Sequence, residues 1–76
     1  MGDNMFGITT VEPSREDAKV IRLIAAQHGV EWIEATLPGT GYQAWFVGHN
    51  RGFPFDMETR REVMDAIKAA GIHYGR

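Results

Sequence analysis

The feature that most constrains this chain is a pair of apolar, strand-forming segments separated by a short turn. Residues 30–49 read VEWIEATLPGTGYQAWFVGH, and a Pro-Gly-Thr-Gly sequence at residues 38–41 divides them. β-Branched and aromatic residues favour strands, and a proline–glycine cluster between two such runs is typical of a hairpin loop. The sequence therefore predicts a β-hairpin with a four-residue loop.

A four-residue loop pairs Leu37 with Tyr42 and so fixes which side chains share a face. Strand side chains alternate between the two faces of a sheet, and a slip of one residue would reverse these assignments. The predicted core face comprises Leu37, Tyr42, Ala35, Ala44, Ile33 and Phe46. The predicted outer face comprises Thr36, Gln43, Glu34, Trp45, Trp32 and Val47.

Two large indoles on one outer face, Trp32 and Trp45, have two interpretations. They form an exposed aromatic patch that binds a partner, since tryptophans are enriched at interface hot spots. Alternatively another segment, such as the apolar run at residues 5–8, covers them, and this burial is slightly favoured for large aromatic side chains.

Length and composition indicate one small domain over residues 1–76, with residues 1–4 expected to be disordered. The hydrophobic fraction of 43% and the charged fraction of 24% are ordinary for a globular protein. The net charge of −2 argues against a dedicated duplex-DNA binder, which normally carries a basic footprint.

Several classes of site are not expected. The chain has no cysteine, and His28, His49 and His73 form no ligand pair at helical spacing, so no metal site is predicted. No phosphate-binding or other cofactor motif is present, and we expect neither a cofactor nor an enzyme. Without a secretory signal or an apolar run near 18 residues, the chain is expected to act in the cytoplasm and not in a membrane.

A first helix is predicted over residues 15–28. Ser14 is its expected N-cap, and Gly29 is its expected left-handed stop. The periodicity predicts a buried stripe of Val20, Ile21 and Ile24, with Ala25 and Leu23 beside it.

A second helix is predicted to begin near Asp56 or Thr59 and to run to about Ala70. Gly71 is its expected stop, with Ile72 packing on Ile67 in a Schellman-type cap. The predicted buried side comprises Met57, Val63, Met64, Ile67 and Ala70.

The two helix exits resemble each other, and this similarity bears on the topology. Residues 29–32 and residues 71–74 both read glycine, β-branched, polar, aromatic. With a further strand at residues 5–11, the order would be β-α-β-β-α-β, the ferredoxin-like plan. The coarser prediction is an α+β fold with two helices packed on one face of an antiparallel sheet centred on the hairpin.

The densest basic region comprises Arg51, Arg60 and Arg61. Two arginines near the start of a helix oppose the helix dipole, which makes an anionic partner more plausible. The alternative is an ordinary turn followed by a solvated helix face.

Two functions follow from these residues. The first is a non-catalytic protein-binding module that docks through Trp32, Trp45, Val47, Arg51, Arg60 and Arg61. The second is a single-stranded nucleic-acid binder in which Trp32 and Trp45 stack on bases. It ranks lower because Glu34 lies beside the rings in the predicted register and the chain is acidic.

In size and character the chain, built around GVEWIEATLPGTGYQAWFVGHNRG at residues 29–52, resembles the small proteins that phages make to inhibit host machinery. That resemblance implies docking on a larger complex in the host cytoplasm, with bacterial RNA polymerase a frequent target and transcription inhibition the effect. The resemblance carries no individual residue roles. We expect the chain to be a monomer or a weak oligomer.

Overall fold

The structure is a computed structural model, and it describes residues 5–48 and 57–75. Its elements are β1 (Met5–Thr9), α1 (Arg15–Gln27), β2 (Val30–Leu37), β3 (Gly41–Gly48) and α2 (Met57–Ala69). The predicted disorder at residues 1–4 falls outside the described residues, and so does Asp56, near which the second helix was predicted to begin.

The three strands form one antiparallel sheet in the order β1-β3-β2. Since β1 and β2 both run antiparallel to β3, they are parallel to each other, and α1 connects them. This is the split βαβ arrangement that the predicted topology contains. Residues 72–75 form no strand, so the complete β-α-β-β-α-β order is not confirmed.

Both helices pack on one face of this sheet, which confirms the predicted α+β architecture. The core joins Phe6, Trp32 and Phe46 from the strands to side chains from the helices. The buried helix residues are Ala18, Ile21, Ile24 and Ala25 in α1 and Val63 and Ile67 in α2. The opposite face of the sheet receives no side chain from either helix's buried stripe.

Local signals set the helix ends where the sequence predicts them. The Ser14 hydroxyl accepts a hydrogen bond from the Asp17 backbone N–H at 3.1 Å, which identifies Ser14 as the N-cap of α1. After α2, Gly71 has a φ of 81°, and the Ile72 N–H donates to the Ile67 carbonyl at 3.2 Å. That bond is the long hydrogen bond of a Schellman cap.

The buried helix stripes are narrower than the periodicity predicts. In α1, Val20 and Leu23 are 37% and 61% exposed, and Ala18 is buried instead. In α2, Met57 is 67% exposed and Ala70 is also exposed. A three-stranded sheet covers only a limited arc of each helix, so apolar residues at the margins of the stripe remain in solvent.

The hairpin register differs from the prediction by one residue. Leu37 pairs with Gly41, not with Tyr42, because the loop contains three residues, 38–40, and not four. The shorter loop shifts β2 against β3 and turns β2 over, since strand side chains alternate. The faces predicted for β3 are correct, and those predicted for β2 are reversed.

The reversal moves Trp32 into the core and Ile33 out of it. Trp32 pairs with Phe46 and is only 7% exposed, whereas Ile33 is half-buried on the outer face. The prediction that Trp32 shares an outer face with Trp45 is therefore wrong, and Ile33 takes that position. Ala35 and Leu37, which were also expected in the core, face outward with Ile33.

Candidate functional site

Trp45 lies in the middle of the sheet face that turns away from the helices. It belongs to β3, the central strand, between the buried residues Ala44 and Phe46. Ile33 on β2 is its direct cross-strand neighbour. Side chains opposite one another on antiparallel strands have Cβ atoms about 5 Å apart, so the indole and the Ile33 side chain lie side by side.

On the other side of Trp45, an irregularity in β1 supplies a second apolar neighbour. Phe6 pairs with Phe46 and Thr9 pairs with Ala44, so two residues of β1 oppose Trp45 alone. This is a β-bulge, and it resets the alternation of side chains along β1. Thr9 consequently returns to the core, and Ile8 lies on the outer face beside Trp45, where it is 62% exposed.

Gly7 makes this bulge possible. Its φ of 64° lies in the left-handed region, which is typical of the first residue of a glycine bulge. A Cβ at this position would lie 2.9 Å from Cδ2 of Phe46, so a larger residue would collide with the core. A glycine within an apolar run is ambiguous in the sequence alone, so this bulge was not predicted.

Together these residues form an apolar patch, which we call the open face. Its large side chains are Met5, Ile8, Ile33, Leu37, Trp45 and Val47. Met5 and Leu37 are 45% and 46% exposed, and Val47 is half-buried between Met5 on β1 and Glu31 on β2. Glu31 is the one charged side chain that the three strands place on this face, and Gln43 adds a second polar group.

The structure separates the five described residues among the six predicted to bind a partner. Trp45 and Val47 lie together on the open face, as predicted, while Trp32 lies in the core. Arg60 and Arg61 are exposed on α2, in the helix layer on the other side of the sheet. Arg51 lies outside the described residues. The open face also contains Ile8, Ile33 and Leu37, which were not predicted to lie there. The three-residue loop places Ile33 and Leu37 on this face, and the bulge in β1 places Ile8 there.

Beneath the open face, a chain of hydrogen bonds holds Trp32 in the core. The Trp32 indole N–H donates to the Tyr74 hydroxyl at 3.1 Å, and that hydroxyl donates to the Gly7 carbonyl. Tyr74 thus connects the segment after α2 to the bulge of β1. Burial raises the pKa of Tyr74, which keeps its hydroxyl protonated as a donor.

A second cluster of polar side chains lies at the edge of the core, where α1 passes over β2. The Arg22 guanidinium forms an ion pair with Glu34 and lies 5.5 Å from the centre of the Trp32 ring. The Tyr42 hydroxyl donates to the other Glu34 carboxylate oxygen at 2.8 Å. Burial, then the hydrogen bond and negative charge of Glu34, raise the pKa of Tyr42. These contacts allow a carboxylate to face the helix side of the sheet.

Two open grooves lie near these groups. One, of about 400 Å³, lies between α1 and β2 beside Ala25, Ala26 and Val30. The other, of about 370 Å³, lies between α2 and the residues after it. Within residues 5–48 and 57–75, no group of three or more histidine or acidic side chains is arranged to hold a metal ion.

Comparisons with known protein families, curated proteins and solved structures find no match for this chain. In the described part of the chain, neither helix is both long enough and apolar enough to cross a bilayer.

Proposed function

We propose that this protein is a non-catalytic protein-binding module whose docking surface is the open face. The observation that carries the proposal is the position of Trp45, at the centre of an apolar sheet face that neither helix covers. Exposed apolar patches on small proteins usually mark interaction sites, and a central tryptophan ringed by smaller apolar residues is typical of a hot spot.

The composition of the face favours a protein partner over single-stranded nucleic acid. The three strands carry no lysine or arginine, and Glu31 on the open face would repel phosphates. Base stacking by two tryptophans required both rings on one open surface, and Trp32 is instead enclosed between Phe46 and Tyr74. A single half-buried indole without basic neighbours is a weak platform for bases.

We further propose that the partner is a larger complex in the host cytoplasm and that binding modulates it. Support comes from the small size of the chain and from its resemblance to phage-encoded inhibitors. Bacterial RNA polymerase is the target that this resemblance suggests, and inhibition of transcription is the corresponding activity. Arg60 and Arg61 lie on the helix side, so the proposed contact does not include them.

The test is capture of binding partners from a bacterial lysate by the immobilised protein, followed by measurement with purified RNA polymerase. Trp45→Ala removes the centre of the open face, and we expect it to weaken binding about 30-fold or more, since hot-spot truncations cost about 2 kcal/mol or more. Leu23→Ala is the matched control, because Leu23 is an exposed apolar residue on α1, 61% accessible, away from the open face.

Circular dichroism of each variant shows whether the fold is intact. Equal binding by Trp45→Ala and by the native protein would exclude the open face as the docking surface. Binding to single-stranded DNA or RNA with a steep loss of affinity as salt rises would favour the nucleic-acid alternative. Binding without any change in transcription would retain the docking surface and reject the polymerase-inhibitor proposal.

A further inference from the structure

The outer edge of β2 is a long, regular strand edge. β2 pairs with β3 without interruption from Val30 to Leu37, and within the described residues no strand pairs with its other edge. β2 contains no lysine, proline, glycine or bulge, which protect many strand edges, and its inward-pointing carboxylate, Glu34, is already paired with Arg22 of the same chain. By contrast, β1 is short and is interrupted by the bulge at Gly7. The edge of β2 is therefore suited to pair with a further strand.

We propose that β2 pairs antiparallel with β2 of a second copy of this chain, around a two-fold axis at Ile33. A two-fold interface uses the same patch on both copies, so the strand must be complementary to itself. Residues directly opposite each other in an antiparallel pair point to the same face. The two sheets would then join into one, with both pairs of helices on the same side.

Self-complementarity selects the axis at Ile33. A two-fold axis at Glu34 would place two carboxylates directly opposite each other, which is destabilising. An axis at Trp32 or at Ala35 would leave more of the strand unpaired. An axis at Ile33 aligns residues 30–36 of both copies and brings no like charges into opposition. It pairs Ile33 with Ile33, Glu31 with Ala35, Trp32 with Glu34, and Val30 with Thr36.

Charge complementarity on the helix side supports this register. Arg22 forms an ion pair with Glu34 and covers the ring of Trp32, so it spans two residues that flank Ile33. In the proposed pairing, Glu34 of one copy lies opposite Trp32 of the other. Glu34 would therefore lie between Arg22 of its own copy and Arg22 of the second copy, which covers the Trp32 ring opposite. Each carboxylate gains a second guanidinium neighbour, and the arrangement is reciprocal.

This pairing goes beyond the proposed docking function and does not depend on it. It uses the edge of β2, whereas docking uses the open face. The dimer would present both copies of Trp45 on the same side of one six-stranded sheet. A partner with two equivalent sites would then bind through two contacts. Failure of the docking proposal would leave the β2 pairing standing, and failure of the pairing would leave the docking proposal standing.

The first experiment measures the mass of the native protein in solution by sedimentation equilibrium over a wide concentration range. We expect the mass to rise toward twice the 8.5 kDa of the single chain as concentration increases. Trp45→Ala should dimerise like the native protein, because Trp45 lies on the central strand. A native protein that stays monomeric at every concentration would overturn the proposal.

The second experiment maps the register with single cysteines, since the chain contains none of its own. Ile33→Cys should form a disulfide-linked dimer under mild oxidation, because the two residues are opposed at the axis. Leu37→Cys is the matched control on the same strand and face. In this register its two copies lie about 26 Å apart, far beyond disulfide reach.

A mixed pair tests the register without altering Ile33. Glu31→Cys and Ala35→Cys should cross-link to each other when mixed, while either variant alone should cross-link poorly, since its two copies lie about 13 Å apart. Equal cross-linking of Leu37→Cys and Ile33→Cys, or of Glu31→Cys alone and the mixture, would overturn the proposed pairing. A dimer that Trp45→Ala abolishes would overturn it too, and would assign the contact to the open face.

Discussion

Ile33 lies directly opposite Trp45 on neighbouring antiparallel strands, on the sheet face that turns away from both helices. Trp32, one residue before Ile33, lies on the other face and is enclosed by the core. The two indoles of this protein therefore have different environments and, in our account, different roles. Trp32 stabilises the domain, and Trp45 is available to a partner.

Alanine substitution should separate these roles by stability. Trp32→Ala empties a buried site and should lower the free energy of unfolding by about 3–5 kcal/mol, as buried aromatic truncations do. Trp45→Ala should cost less than half as much, because the ring is only half-buried and lies on the outer face of the sheet, outside the core. Urea denaturation followed by circular dichroism measures both. Equal losses of stability would show that Trp45 is a core residue.

The bulge at Gly7 should be sensitive to a single added methyl group. Gly7→Ala combines a positive φ with a contact of 2.9 Å to the Phe46 ring, so we expect a loss of about 2–4 kcal/mol in stability. Gly39→Ala is the matched control, since Gly39 also has a positive φ but nothing within 4 Å of its Cβ position. It should cost only about 1 kcal/mol. Similar losses would mean that the Phe46 contact does not constrain the bulge.

Removal of the Tyr74 hydroxyl should destabilise the core without changing its shape. Tyr74→Phe leaves the Trp32 indole N–H without its acceptor and the Gly7 carbonyl without that donor. An unsatisfied buried polar group costs about 1–3 kcal/mol, and we expect a loss in that range. Tyr42→Phe is the comparison: it removes one hydrogen bond from Glu34, which keeps its ion pair with Arg22, and should cost about 1 kcal/mol or less.

Alkaline pH should destabilise the protein through its two tyrosines. The pKa of Tyr42 and the pKa of Tyr74 are both raised, chiefly by burial, above the value of about 10 for an unfolded chain. The folded state therefore holds these protons when the unfolded state has released them. Their stabilising contribution is complete below about pH 10 and falls as pH rises above it.

The matching measurement is the free energy of unfolding of the native protein, Tyr42→Phe and Tyr74→Phe from about pH 8 to pH 11. Each phenylalanine variant should lose stability less steeply above pH 10 than the native protein. Parallel curves for all three proteins would contradict the raised pKa values. The comparison between variants removes any effect of pH that the three proteins share.

The sequence was sufficient to locate both helices, their main stop signals and the hairpin, because these depend on local features. Ser14 caps α1 through a contact three residues away, and Gly71 ends α2 through bonds within one turn. The pattern of β3 was equally clear. Its buried residues, Ala44 and Phe46, alternate with residues that face away from the core, and the faces predicted for β3 are correct.

The face of β2 could not be predicted, because this strand is apolar on both sides. One face carries Val30 and Trp32, and the other carries Ile33 and Leu37, so both are apolar enough for the core. Glu34 lies on the same face as Trp32, and a charged residue there favours burial of the other face. The conflict is resolved by Arg22, twelve residues earlier in the sequence, which supplies the ion pair that Glu34 requires. No local pattern in the sequence indicates such a contact. The predicted face of β2 therefore depended on the predicted loop length alone.

The role of the last residues was also beyond the sequence. Residues 71–74 resemble the exit of α1, which leads into a strand, and a strand was predicted there. Instead Ile72 is buried by the Schellman cap, and Tyr74 packs edge-on against Trp32 at 6.3 Å between ring centres. The Tyr74 side chain therefore closes the core at the position where a further strand was predicted.

The most direct test of this account is acrylamide quenching of fluorescence in two single-tryptophan variants, Trp32→Phe and Trp45→Phe. Trp32→Phe leaves only Trp45, and its emission should be red-shifted and more readily quenched than that of Trp32, because Trp45 is only half-buried. Trp45→Phe leaves only Trp32, whose emission should be blue-shifted and protected by the core. Equal protection of both indoles would contradict an open face centred on Trp45 and would remove the basis for the proposed docking function.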